Sequence, residues 1–246
     1  MRLAAYPRVK LLDGFALELD AMNPASTVDD LPHGVQRLVA YLSLFRRPAR
    51  TAVAGHLWPE VAEEHAHGSL RSALWRLQKA APGVVEVSGG ALRLAPGIRV
   101  DVRELGDWAE RALDRSAHHA DDLEVPDVWL QCELLPGWYD DWVLLERERL
   151  RQLHMHTFEV VAVKLAVAGR HGEALQAAYA AVRAEPLRES AHRVVVRVHI
   201  AEGNVVEAVR AYDAFRVMLE EELDVTPTEQ MTRLIHSISG PHWVAS

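Results

Sequence analysis

Residues 64–80 read Glu64-His-Ala-His-Gly-Ser-Leu-Arg-Ser-Ala-Leu-Trp-Arg-Leu-Gln-Lys-Ala80, with Pro82-Gly83 behind them. Leu70, Ala73, Leu74 and Leu77 recur at helical spacing and share one face, so the segment is an amphipathic helix that stops before the proline. The opposite face carries Arg71, Ser72, Trp75, Arg76 and Lys79. An apolar stripe for anchorage and a cationic stripe for groove edges and phosphates are what a DNA recognition helix needs. Arg71 or Arg76 suits a bidentate contact to guanine, and Ser72 and Lys79 suit phosphates. A solvated surface helix has the same pattern, so the flanking segments decide between the two readings.

Downstream, Val84-Val85-Glu86-Val87, Gly89-Gly90 and Leu92-Arg93-Leu94 predict a hairpin, a wing that carries Arg93 toward the minor groove or backbone. Upstream, Val35, Leu38, Val39 and Leu42 repeat at i, i+3, i+4 and i+7, a helix of about three turns that Arg46-Arg47-Pro48 stops. Thr51 is placed to cap a short second helix that runs to Leu57-Trp58 and ends before Pro59. Arg46, Arg47 and Arg50 add phosphate-facing charge at the junction between these two helices. Asp13-Gly14, between the apolar runs of residues 8–19, predicts a further hairpin. Three helices followed by a hairpin make a winged helix-turn-helix over residues 1–100.

From Asp101 onward the pattern is almost wholly helical, with a candidate helix at 107–115 and a long one over 141–169. Gly169 aligns with Gly203, Glu173-Ala174 with Glu207-Ala208, and Ala177 with Ala211, each pair 34 residues apart. That is the tetratricopeptide period, in which small alanines let paired helices approach closely. The expected fold is therefore mainly α: an N-terminal winged helix-turn-helix (α+β), then an all-helical tetratricopeptide-like domain over residues 101–240.

Charge is divided along the 246-residue chain. Its net charge is −8, yet residues 1–100 carry 12 Lys+Arg against 9 Asp+Glu, while the remainder carries 15 against 26. A polyanion-facing module joined to an acidic, protein-facing one has this asymmetry. No apolar run approaches the roughly 20 residues of a membrane-spanning helix, and charges break up the first twenty residues, so a cytoplasmic location without a membrane partner is expected.

The chemistry of an enzyme is hard to find. The single Cys132 allows no internal disulfide. Among thirteen histidines, His154 and His156, and His65 and His67, are two apart and diverge on a helix. His118-His119 share no face, and His192 and His199 lack a third ligand, so no metal is expected. No phosphate-binding loop, nucleophile elbow or dinucleotide fingerprint occurs, hence no cofactor. Trp129, Trp138, Tyr139 and Trp142 cluster around a Pro-Gly turn. They read as a satellite core joining the long helix to the repeats, or as an aromatic pocket.

Leu135-Pro-Gly-Trp-Tyr-Asp-Asp-Trp142, Glu146-Arg-Glu-Arg-Leu150, Glu185-Pro-Leu-Arg-Glu-Ser-Ala-His192 and Leu223-Asp-Val-Thr-Pro227 resemble the bacterial transcriptional activator domain of the Streptomyces antibiotic regulatory proteins (SARPs). His56-Leu-Trp-Pro59, Ser69–Leu77 and Gly89-Gly90 are similar to that family's OmpR-type winged helix. The resemblance implies a regulator that binds promoter DNA as a homodimer on direct repeats and recruits RNA polymerase. It places the polymerase-facing loop at residues 58–67, with Trp58, Glu60, Glu63 and Glu64 as contacts. Trp75 and Gln78 depart from the small or basic residues usual in relatives. In larger relatives ATPase or sensor domains follow, so this chain reads as a small, stand-alone member, and nothing in it names a small-molecule effector. A reading of another class stands beside this one: a repeat-based protein-interaction module whose winged helix no longer binds DNA.

Overall fold

A computed structural model describes residues 7–20, 23, 26–28, 30–114, 124–126 and 132–238. In chain order the elements are β1 (Arg8–Lys10), β2 (Ala16–Glu18), α1 (His33–Leu44), α2 (Arg50–Leu57), α3 (Glu63–Ala80), β3 (Val85–Ser88), β4 (Ala91–Leu94), β5 (Arg99–Val100), α4 (Asp101–Leu113), α5 (Asp141–Val167), α6 (His171–Ala184), α7 (Glu189–Glu202), α8 (Val205–Leu223) and α9 (Glu229–His236). The fold is mainly α, a winged helix-turn-helix followed by helical repeats. By packing it divides into two units, residues 1–107 with 132–147, and residues 108–131 with 148–246.

In the first unit β1 and β2 pair antiparallel, Val9 opposite Leu17, around a turn in which Asp13 and Gly14 take φ of 60° and 138°. β5 adds to the other edge of β1 in parallel, Val9 opposite Val100. A two-residue strand carries too little alternation to be read from sequence. Asp101, at the start of α4, then ties sheet to helix: its carboxylate accepts the amides of Leu11 (2.8 Å), Leu12 (3.0 Å) and Val102 (2.7 Å). Arg103 donates to the last carbonyls of α1, Leu42 and Ser43, both at 2.7 Å, groups that a helix end leaves without partners.

The four apolar positions expected of α1 are all buried. On α3 the buried stripe is Ala66, Leu70, Ala73 and Leu77, whereas Leu74, expected on that face, is only half-buried. Thr51 does not cap α2. The helix starts at Arg50 behind an extended Ala49, with no side-chain cap, because residues 48–50 pair with β4 and enter the helix straight from a strand-like segment.

The Pro-Gly turn belongs to the first unit too. Residues 133–135 run along the N-terminal hairpin, with Leu135 N–H donating to Leu11 O (2.8 Å) and Asp13 N–H to Glu133 O (2.8 Å). The Arg147 guanidinium closes the turn by donating to the carbonyls of Leu134, Leu135 and Trp138 at 2.9–3.3 Å. Trp138 meets His33 edge-on at 4.8 Å and stacks loosely on Phe15 at 6.3 Å, while Trp142 packs edge-on to Tyr41 at 5.3 Å. These aromatics thus cover α1 instead of bonding the long helix to the repeats, since the first turn of α5 faces Tyr41. Trp129 lies outside the described residues.

The second unit holds the repeat, and its period is written in hydrogen bonds. Gly169 donates to Ala166 O (3.1 Å) and Arg170 to Leu165 O (2.9 Å); 34 residues on, Gly203 donates to Ile200 O (3.0 Å) and Asn204 to His199 O (2.8 Å). Both glycines sit at positive φ, 76° and 86°, where a side chain would be strained, so each ends its helix and turns the chain into the next. Ala174, Ala177, Ala178 and Ala181 of α6, and Ala208 of α8, are completely buried, which allows the close helix approach.

His154 on α5 faces Phe158 with ring centroids 4.4 Å apart. Burial, with Arg183's charge second, pushes its pKa down to about 4 from 6.5. Between those values the unfolded chain holds a proton that the folded one lacks. Stability is therefore full above about pH 6.5 and falls as the pH drops toward 4, by about 3 kcal/mol in all. Urea midpoints measured from pH 7 to 4 should fall markedly less in His154→Leu than in the wild type; equal slopes would remove His154 as the cause.

Candidate nucleic-acid interface

Arg71, Ser72, Trp75, Arg76 and Lys79 are all exposed on α3. Their spacing of i, i+1, i+4, i+5 and i+8 makes one stripe about 12 Å long, comparable to the roughly 12 Å width of a B-form major groove. Leu70, Ala73 and Leu77 hold the stripe outward from the opposite side. Arg71, Arg76 and Lys79 form no ion pair among the described residues. Lys79 Nζ lies 5.6 Å from the centroid of the Trp75 ring, within cation–π range.

The wing and the α1–α2 corner form one backbone ladder. Arg50 N–H donates to Gly90 O (3.0 Å), Leu92 N–H donates to Pro48 O (3.0 Å), and Ala49 bridges Ala91. Gly89 and Gly90, at φ of 60° and 79°, make the two-residue turn between Ser88 and Ala91. This ladder sets the half-buried Arg50 beside the wing tip, with the exposed Arg46 and Arg47 on the same corner. No sequence signal marked it, because it pairs residues about 40 apart.

Arg93 behaves differently. Glu86 lies directly opposite it across the hairpin, and Arg93 Nε and Nη2 donate to Glu86 Oε2 at 3.0 and 2.6 Å. The wing cation is thus neutralised within the hairpin, and both partners are part-exposed. Such pairs contribute little to stability, about 0–1 kcal/mol, so a phosphate can displace Glu86. Glu86→Gln is expected to bind duplex DNA several-fold more tightly and to steepen the fall of log affinity with log salt by up to about 0.9, one phosphate's share. Fluorescence anisotropy across a salt series measures both. Unchanged affinity and slope would remove Arg93 from the interface.

The loop proposed to face polymerase joins α2 to α3. Trp58 is half-buried at the end of α2, while Glu60 is exposed. Glu63 and Glu64 occupy the first turn of α3, where a carboxylate interacts favourably with the helix dipole. Glu63 also lies 3.5 Å from His67 Nε2. Trp58 stands between two concavities. One of about 1060 Å3 is lined by Glu64, His65, Gly68, Arg71 and Arg76. The other, of about 710 Å3, is lined by His33, His56, Trp138, Tyr139 and Asp141.

Residues 127–239 match the family model of the bacterial transcriptional activator domain. The regulatory protein AfsR of Streptomyces coelicolor is 32% identical over 214 residues, and AfsR of Streptomyces griseus is 29% identical over 213. Each alignment takes in 81% of this chain. The chain is SARP-like. It spans only about a fifth of either relative, 21% and 22% of their lengths. In fold it is similar to Mycobacterium tuberculosis EmbR, solved in complex with a low affinity phosphopeptide, with a TM-score of 0.70 at 18% identity over 96% of this chain and 65% of that one.

The motifs of this SARP-like chain have structural duties. Arg147, in Glu146–Leu150, is the clamp on the Pro-Gly turn. In the 185–192 motif Arg188 and Ser190 both donate to Glu159 Oε1 at 2.7 Å, joining α7 to α5. Glu189 of the same motif accepts the amide of Thr228 (2.8 Å) and its hydroxyl, which anchors the start of α9. Asp224 takes a left-handed φ of 53° where α8 ends.

Proposed function

We propose that the chain is a sequence-specific DNA-binding transcription regulator, and an activator, with residues 1–100 facing the duplex and residues 101–240 forming the activator domain. One observation supports this above the others: the exposed α3 stripe carries three cations that form no ion pair among the described residues, beside a hairpin wing braced on the α1–α2 corner. Arg71 and Arg76 read base edges; Ser72, Lys79, Arg46, Arg47, Arg50 and, once released from Glu86, Arg93 hold the backbone. Two copies bind direct repeats as a homodimer, about one helical turn apart. Trp58, Glu60, Glu63 and Glu64 meet RNA polymerase. The protein acts in the cytoplasm as a regulator, not an enzyme, and takes no cofactor.

Selection of bound fragments from random genomic DNA by purified protein tests this. A repeated motif is expected, with log affinity falling linearly and steeply with log salt. One feature favours the other reading, an interaction module with a silent winged helix: Glu86 already occupies Arg93. Enrichment of no motif would select it.

A further inference from the structure

We propose that Trp75 reads thymine, its indole packing against the C5-methyl group of one base in the major groove. The inference rests on the DNA-binding reading above. Trp75 lies in the middle of the recognition stripe, with Arg71 and Ser72 before it and Arg76 and Lys79 after it, and it is 65% exposed. The ring is not part of the buried side of α3, which is formed by Ala66, Leu70, Ala73 and Leu77. A large apolar surface left in water at this position gains only when a partner covers it.

The chemistry of the groove narrows the partner. Each base pair presents polar edges there, and the thymine methyl is the apolar group among them. An indole offers a flat apolar surface and a single donor, so it is poorly matched to phosphate oxygens, which the neighbouring arginines and lysine satisfy better. Lys79 Nζ lies 5.6 Å from the ring centroid, a cation–π contact that biases the ring toward this placement before DNA arrives. A ring biased in this way loses less side-chain freedom on binding. Wedge-like insertion between bases belongs to the minor groove and requires unstacking, whereas a ring lying beside its i+4 lysine needs no distortion of the duplex to touch a methyl group.

The test uses the full chain and a duplex recovered by fragment selection, with each thymine replaced in turn by deoxyuridine, which removes only the methyl group. Wild-type protein should lose about three- to fivefold in affinity at one or two positions, the effect of one buried methyl. Trp75→Ala should bind thymine and deoxyuridine duplexes equally, and Trp75→Phe should keep part of the preference. Three results would overturn the proposal. Wild-type indifference to every substitution, with binding still dependent on Arg71 and Arg76, removes it and leaves the DNA-binding reading standing. Trp75→Ala that shifts the monomer–dimer balance in sedimentation while keeping the thymine preference makes the ring a contact between copies. Lack of any sequence-selective binding removes the DNA-binding reading and this inference together.

Discussion

Arg71→Ala/Arg76→Ala is expected to lose sequence-selective binding while folding as the wild type does. Each bidentate arginine–guanine contact supplies about 1–3 kcal/mol of discrimination, so the pair supplies about 2–6 kcal/mol, at least thirtyfold. Both side chains are exposed and outside the core, and surface substitutions of this kind stay within about 0.5 kcal/mol in stability. The salt dependence tells what the arginines touch. Base readers lower affinity for the selected motif far more than for unrelated DNA and leave the salt slope nearly intact. Phosphate contacts weaken all sequences alike and flatten the slope by about 0.9 for each lost. Anisotropy titrations on selected and scrambled duplexes separate the two cases. A double variant that binds the selected motif as tightly as wild type would show that α3 is not the reading element.

Phe215→Ala should destabilise the helical repeats by about 3–5 kcal/mol, the usual cost of an aromatic-to-alanine change in a core. Phe215 is fully buried among Val196, Ala208, Leu219, Met231 and Ile235, so its removal leaves a cavity bounded by three helices. It also stacks on His192 at 4.1 Å, with planes 21° apart. That histidine is fixed by Nε2 against the Pro186 carbonyl at 2.8 Å, and burial lowers its pKa despite that hydrogen bond. Losing the ring strips one wall from the imidazole as well. Because whole domains are stable by only about 5–15 kcal/mol, a loss of this size should move the urea midpoint visibly, while Phe215→Leu keeps most of the volume and most of the stability. A loss below about 1 kcal/mol would mean that α8 and α9 do not share the core described here.

Elements with a strong local period were legible in the sequence. The apolar stripe of α1 appeared at the four expected positions, and the cationic stripe of α3 emerged exposed. The 34-residue offset of Gly169 and Gly203 surfaced as two matching helix ends. Each depends on residues a few positions apart, where the spacing of side chains settles which face is buried.

What stayed hidden depends on partners far apart in the chain. Thr51 had the residue type of a cap, yet the bridge between Ala49 and Ala91 sets the start of α2. Leu74 lies on the apolar arc of α3 but is only half covered, because burial follows what packs against the helix. The wing arginine could be named, and the two-residue Gly89-Gly90 turn already sets Glu86 opposite it, seven residues away; only the ion pair itself had to come from the structure.

The amino-acid order alone determined the winged helix-turn-helix, its division between inward leucines and outward arginines, and the repeat period, because periodicity acts within a few turns of chain. Only the tertiary structure decided that residues 132–147 fold onto the N-terminal hairpin and α1, that the α1–α2 corner braces the wing, and that Arg93 is ion-paired to Glu86. The first two come from backbone pairing between segments about 40 to 120 residues apart, which no local pattern encodes, and the last from side-chain geometry, which sequence spacing leaves open.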